Sequence, residues 1–208
     1  MKKKVKKLFG DIQFERDKIL NNSKSEVLDY MVSLNDVRIS ACTKVIKRDF
    51  LLVNDLFFKK GILSEDLEWF LRVLLVAEKY DYLNLPFYIY RKNRHGSITN
   101  TIGEINIMDM LNIIDSASNN IQKYDCDNKF HYNYLSYLAY QYTIALGFYG
   151  TIKNKTNQEI KQCLIHLSYL LEFHKYKKTM YIKYMYKICG IELTSQLLGY
   201  YLNAKKNV

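Results

Sequence analysis

Gly61-Ile62-Leu63-Ser64-Glu65-Asp66-Leu67-Glu68-Trp69, followed by Phe70-Leu71-Arg72-Val73-Leu74-Leu75-Val76-Ala77, is the stretch on which the reading of this chain turns. Two adjacent carboxylates stand where a loop passes into a helix. Ser64 is the expected N-cap, because its hydroxyl can accept from a free amide of the first turn. Glu65 and Asp66 fall in that turn, where the helix dipole favours acids. The run after them is apolar nearly all round, which predicts a buried helix over 66–79. A rigid buried helix with acids at its mouth suits a general base. Acids are also common at helix starts for no other reason.

Working outward, the upstream segment is Ala41-Cys42-Thr43-Lys44-Val45-Ile46-Lys47-Arg48-Asp49-Phe50, then Asn54-Asp55-Leu56-Phe57-Phe58. Downstream come Tyr82-Leu83-Asn84-Leu85-Pro86-Phe87-Tyr88-Ile89-Tyr90-Arg91 and Arg94-His95-Gly96-Ser97-Ile98-Thr99. In this order and spacing, about residues 25–100 resemble the second half of bacterial family-2 glycosyltransferases, a GT-A type family. The shared pattern is a lysine-aliphatic-lysine-arginine run and a phenylalanine-rich turn. Glu-Asp with an aromatic three residues on, Pro-Phe-Tyr-x-Tyr-Arg, and Ser-Ile-Thr complete it.

The resemblance implies inverting transfer of a sugar from a nucleotide-sugar donor to a glycan or lipid-linked acceptor hydroxyl, as in polysaccharide, capsule or lipopolysaccharide assembly. It assigns the base to Asp66, with Glu65 orienting it or bonding the acceptor. Trp69 would offer its ring to a sugar, or serve as a plain core anchor. Arg91 and Arg94 would meet diphosphate oxygens, with Ser97 and Thr99 adding hydroxyl bonds. His95 stands where some relatives place a metal or phosphate contact. These loop positions also fit an ordinary solvated surface.

The family's nucleotide-binding half has a Pro-x-Tyr-Asn turn and a metal-binding Asp-x-Asp, and no such segment precedes Ala41. Asp125-Cys126-Asp127 matches the letters of the second motif but follows Glu-Asp in a polar joint between helices, so it reads as coincidence. The expectation is the acceptor-side portion of an enzyme, inactive alone. A divalent metal, Mn or Mg, is expected only in the completed enzyme, and no metal ligand is assigned within this chain. Apolar surface left open by the absent half would cause self-association. A non-catalytic helical module that binds a partner protein or an anionic membrane is the competing reading.

Composition bounds the rest. The 208 residues are 49% hydrophobic and 25% charged, enough to bury a core. The net charge of +10 comes largely from Lys2, Lys3, Lys4, Lys6, Lys7, Lys205 and Lys206. Such terminal clusters read as solvated tails, with peripheral contact at an anionic membrane as their expected use. No zinc-finger, helix-turn-helix or RNA-binding signature accompanies them, which argues against nucleic acid. Cys42, Cys126, Cys163 and Cys189 are too dispersed for a zinc site. The basic start lacks the apolar run of a signal peptide. A cytoplasmic chain with free thiols, held at the inner face of the cell membrane at most, is expected.

The predicted fold class is α+β, mostly α. Residues 1–100 form a partial GT-A-like α/β remnant, and residues 101–208 a helical bundle. Helices are expected over 25–34, 48–55 and 66–79, a strand or extended chain over 37–46, and two extended pieces around Pro86. Beyond a loop over 92–101, helices are expected at 104–121, 131–150, 157–173, 175–188 and 192–203, punctuated by Gly150, Asn154 and Gly190. The charge-free run 132–152 is nearly long enough to span a bilayer, but Asn133, Ser136, Gln141, Thr143 and several tyrosines make it a buried helix. His131, His166 and His174 read as surface or hydrogen-bonded core residues, since no second ligand stands at helical spacing.

Overall fold

The computed structural model describes residues 14–85, 88, 103–152 and 157–206, and these are mostly helical. The helices are α1 (Lys24–Ser33), α2 (Arg48–Val53), α3 (Glu65–Val76), α4 (Glu104–Asn120), α5 (Asn128–Thr151), α6 (Gln158–His166) and α7 (Lys177–Lys206). Local chemistry fixes most starts. Ser23 and Glu26 form a capping box at α1, Asp127 accepts from the Phe130 amide at α5, and Asn157 from the Glu159 amide at α6. Asp127, dismissed above as an accidental motif letter, is therefore the residue that starts the longest buried helix.

Two expectations are corrected. Ser64 does not cap α3 with its hydroxyl. It sits in the left-handed region (φ 65°, ψ 34°), and only its carbonyl enters the helix, accepting from Leu67 N at 3.0 Å and Glu68 N at 3.3 Å. The segment 37–46 forms no strand, and none forms elsewhere among the described residues. A strand needs a partner to take its backbone groups. Here they are satisfied locally, in a 3-10 turn at Ala41–Thr43 where Thr43 N donates to Ser40 O and Lys44 N to Ala41 O. Residues 82–85 are irregular, while the rest of the piece around Pro86 lies outside the described residues apart from Tyr88.

The core is built around α5. α1, α4, α7 and a 3-10 stretch at Leu167–Glu172 pack on it from different sides. Phe130, Tyr134, Tyr137, Leu138, Tyr142 and Leu146 are fully buried in consequence. That explains the charge-free sequence without a bilayer, since a helix enclosed by neighbours is apolar all round. The phenols of Tyr134 and Tyr142 donate to Leu71 O and Leu164 O. No described helix is long and apolar enough to cross a membrane. The core continues without a break from α1 and α3 into α4 and α5, so the change of sequence texture near residue 101 is not a break in packing.

α7 crosses the end of α5 at glycine. A Cβ on Gly150 would lie 1.7 Å from the Ser195 carbonyl oxygen, and one on Gly199 would lie 2.6 Å from the Gly150 carbonyl carbon. Only backbones without side chains approach so closely. Gly190, at φ 70°, breaks α7 into the two stretches that the sequence predicts on either side of it.

Candidate functional site

The loop that delivers the two acids is held from both ends. Gly61 takes φ 80° and Ser64 φ 65°, which turns the chain sharply into α3. Between them the Leu63 amide donates to Asp109 Oδ2 on α4 at 2.8 Å. From Leu67 onward α3 is buried, with Trp69, Phe70, Leu71, Val73, Leu74 and Leu75 in the core. The first turn is thus fixed on a rigid element.

Glu65 is exposed and Asp66 half-buried. The Asp66 carboxylate faces the 3-10 turn, where Ala41 N approaches Oδ1 at 3.4 Å, a long contact. Lys44 closes this side. Its ammonium donates to Arg38 O at 2.6 Å and Ser40 O at 2.9 Å, and lies 4.4 Å from the centre of the Phe70 ring. Burial pushes the Lys44 ammonium down to about 8, while the Asp66 charge pulls upward and Arg38 downward. Asp66 therefore has a nearby cation that is poorly hydrated and fixed by two carbonyls.

Trp69 is 4% exposed, its indole N–H donates to Leu56 O at 3.0 Å, and Phe58 packs on its ring at 5.1 Å between centres. This is the geometry of a core anchor. In the phenylalanine-rich turn both Phe57 and Phe58 face solvent, at 54% and 48% exposure, and Phe58 is the one packed on the Trp69 ring. Arg91, Arg94, His95, Ser97 and Thr99 lie outside the described residues.

Sequence reasoning also missed Glu68. It is buried one turn into α3 and accepts from Arg72 Nε at 2.9 Å and Nη2 at 2.8 Å, with Lys59 Nζ at 2.8 Å. Arg72 reaches on to Asp55 O and Phe57 O. This network staples the 55–59 turn onto the helix and so sets where Phe58 sits. The signal was a Glu and an Arg four apart on an otherwise apolar helix. Glu68 and Arg72 also line an open cleft of about 160 Å³ between α3 and α4, with Asp109, Asn112 and Tyr134.

The described residues contain no group of three or more His, Cys, Asp or Glu able to hold a metal ion. Asp127 Oδ1 accepts from Phe130 N and from the Ser25 hydroxyl, which gives this residue of Asp125-Cys126-Asp127 a structural use as the cap of α5. The histidines make ordinary contacts. His131 pairs with Gln122, His174 with Glu172 O, and exposed His166 lies 3.5 Å from Asp115. No family model, curated protein or solved structure matches this chain.

Proposed function

We propose that this chain is the acceptor-side portion of an inverting glycosyltransferase in which Asp66 is the general base. The observation that carries the reading is the Asp66 carboxylate itself. It is half-exposed on the first turn of a buried helix, with Lys44 fixed beside it. A base must be reachable by the acceptor yet rigidly placed, and this position meets both demands.

In the proposed reaction the acceptor hydroxyl loses its proton to Asp66 as its oxygen bonds to the anomeric carbon. The bond from that carbon to the nucleotide diphosphate breaks, and the diphosphate leaves with the electron pair. Glu65, which is exposed, would orient the acceptor. Phe58 would cover one face of its sugar, the role that the sequence offered to Trp69. Arg91 and Arg94 would balance the departing diphosphate. The nucleotide-sugar donor and any Mn or Mg belong to the completing half.

The test is transfer from uridine-diphosphate and guanosine-diphosphate sugars by this chain joined to a family-2 nucleotide-binding half. Transfer that needs both parts and is lost in Asp66→Asn supports the reading. Transfer that survives the substitution overturns the role of Asp66.

A further inference from the structure

The outward side of α7 carries what a helix buried in a protein would hide. Its inner side, with Thr179, Ile182, Thr194, Ser195 and Gly199, is buried. On the opposite side Tyr181, Tyr184 and Ile188 are 66%, 55% and 82% exposed. Leu193, Leu197 and Tyr200, beyond the Gly190 break, are 47%, 48% and 79% exposed. The spacings 181-184-188 and 193-197-200 put each set on one stripe of its own stretch, the two stretches being separate helices on either side of the non-helical Gly190. Exposed apolar side chains in such rows mark a contact surface rather than scattered surface residues.

Charge bears on what the contact is. α7 holds six lysines and one acid, but Lys183 is buried and pairs with Glu172 at 2.5 Å, and Lys187 pairs with the same carboxylate at 3.2 Å. That acid, Glu192, is paired with Lys161 of α6 at 2.8 Å and so is directed back onto the protein. Lys177 and Lys178 are exposed and make no ion pair among the described residues. The helix ends on Lys205 and Lys206. Pairing two copies of this face would set lysine against lysine. An anionic surface instead meets both the apolar stripe and its basic flanks. α7 is not apolar enough to span a bilayer, so it would lie in the interface with tyrosines at headgroup depth, where aromatic rings with a polar end are favoured.

We propose that the outward stripes of α7, one on each side of Gly190, form a docking surface for an anionic lipid bilayer. The proposal is independent of the glycosyltransferase reading and differs from a purely electrostatic role of the amino-terminal lysines. The experiment is co-sedimentation of the chain with vesicles of phosphatidylcholine mixed with phosphatidylglycerol, against phosphatidylcholine alone. Binding is expected only to the mixed vesicles and weakens with added salt. The double variant Ile188→Glu/Leu197→Glu should lower the partition by roughly tenfold or more, since it removes apolar area and adds negative charge. Both positions face solvent, so helicity and melting temperature should stay as in the parent, and Ile188→Leu should bind normally. Undiminished binding of the double variant overturns the proposal. So does loss only when Lys2, Lys3, Lys4, Lys6 and Lys7 are replaced. A parent chain that is dimeric by light scattering, becomes monomeric in the double variant and never binds vesicles would assign the face to a second copy instead.

Discussion

Replacing Gly150 by alanine adds one methyl group where α5 meets α7, and the sign of its effect depends wholly on that contact. Within an isolated helix the change is favourable by about 1 kcal/mol, because alanine is the better helix former. In this structure the new Cβ would stand 1.7 Å from Ser195 O, against the 3.0 Å below which real Cβ contacts essentially never occur. The two helices must part by the difference, about 1.3 Å, and the obstacle is backbone, which cannot rotate aside. Parting loosens the packing of Thr194, Ser195 and Leu198 on α5. Overpacking of this kind costs about 1–3 kcal/mol, occasionally more. Because the obstacle is backbone at 1.7 Å, the cost falls at or above the upper end of that range, and set against the helix gain of about 1 kcal/mol it leaves a net loss of about 2 kcal/mol, which would lower Tm by about 4–8 °C in a chain of this size. Circular dichroism during thermal and urea unfolding reads it directly. Gly147→Ala is the control. Its Cβ meets Leu202 Cδ1 at 2.7 Å, the end of a flexible side chain, so little loss is expected. A Gly150→Ala protein as stable as the parent, or more so, would refute the close crossing.

Other expectations follow from buried polar groups. Lys44 should make stability pH-dependent. Its folded value of about 8 lies below the ordinary 10.5. Below pH 8 both states are charged and the burial cost is constant. Between pH 8 and 10.5 the unfolded state holds more protons, so stability rises relative to Lys44→Met, by on the order of 3 kcal/mol at most. Paired denaturation curves across that range would show it, and a flat difference would contradict it. Arg72→Met should destabilise toward the lower end of about 3–5 kcal/mol, since Glu68 keeps Lys59 as partner, and Glu68→Met added to it should recover much of the loss. Trp69→Phe leaves Leu56 O without its donor and should cost about 1–3 kcal/mol in urea unfolding, whereas a sugar-facing tryptophan would cost little stability.

How much of this was legible in the sequence depended on whether the deciding partner was local. α1, α3 and α4 showed because apolar spacing and nearby turns define them, and the structure places their ends within a few residues of the expectation. The break at Gly190 showed for the same reason. The segment 37–46 did not, because β-branched residues record only a fit to an extended chain. Whether a strand forms depends on a partner, and here Asp66, Lys44 and a 3-10 turn take the backbone groups. Ser64 carries the right side chain for a cap but a left-handed backbone set by the turn from Gly61. Glu68 looked like one more acid at a helix start, and only the fold brings Lys59 and the 55–57 carbonyls to its network. The glycines at 150 and 199 are unremarkable until α7 is laid across α5. In the candidate site, the position of Asp66 at the mouth of a buried helix was readable. That Trp69 packs inward while Phe57 and Phe58 face solvent was not.

The central claim is that Asp66 removes the acceptor proton, and kinetics separate this from a role in holding the helix start. The measurement is kcat and donor KM, side by side, for the parent and Asp66→Asn in the completed enzyme, with equal stability checked by thermal unfolding. The expected result is a kcat lower by about 10²–10⁴ at nearly unchanged donor KM, the scale on which a general base contributes. A kcat within a few-fold of the parent, or a loss confined to KM or to stability, would contradict it and leave Asp66 as a residue of the helix start.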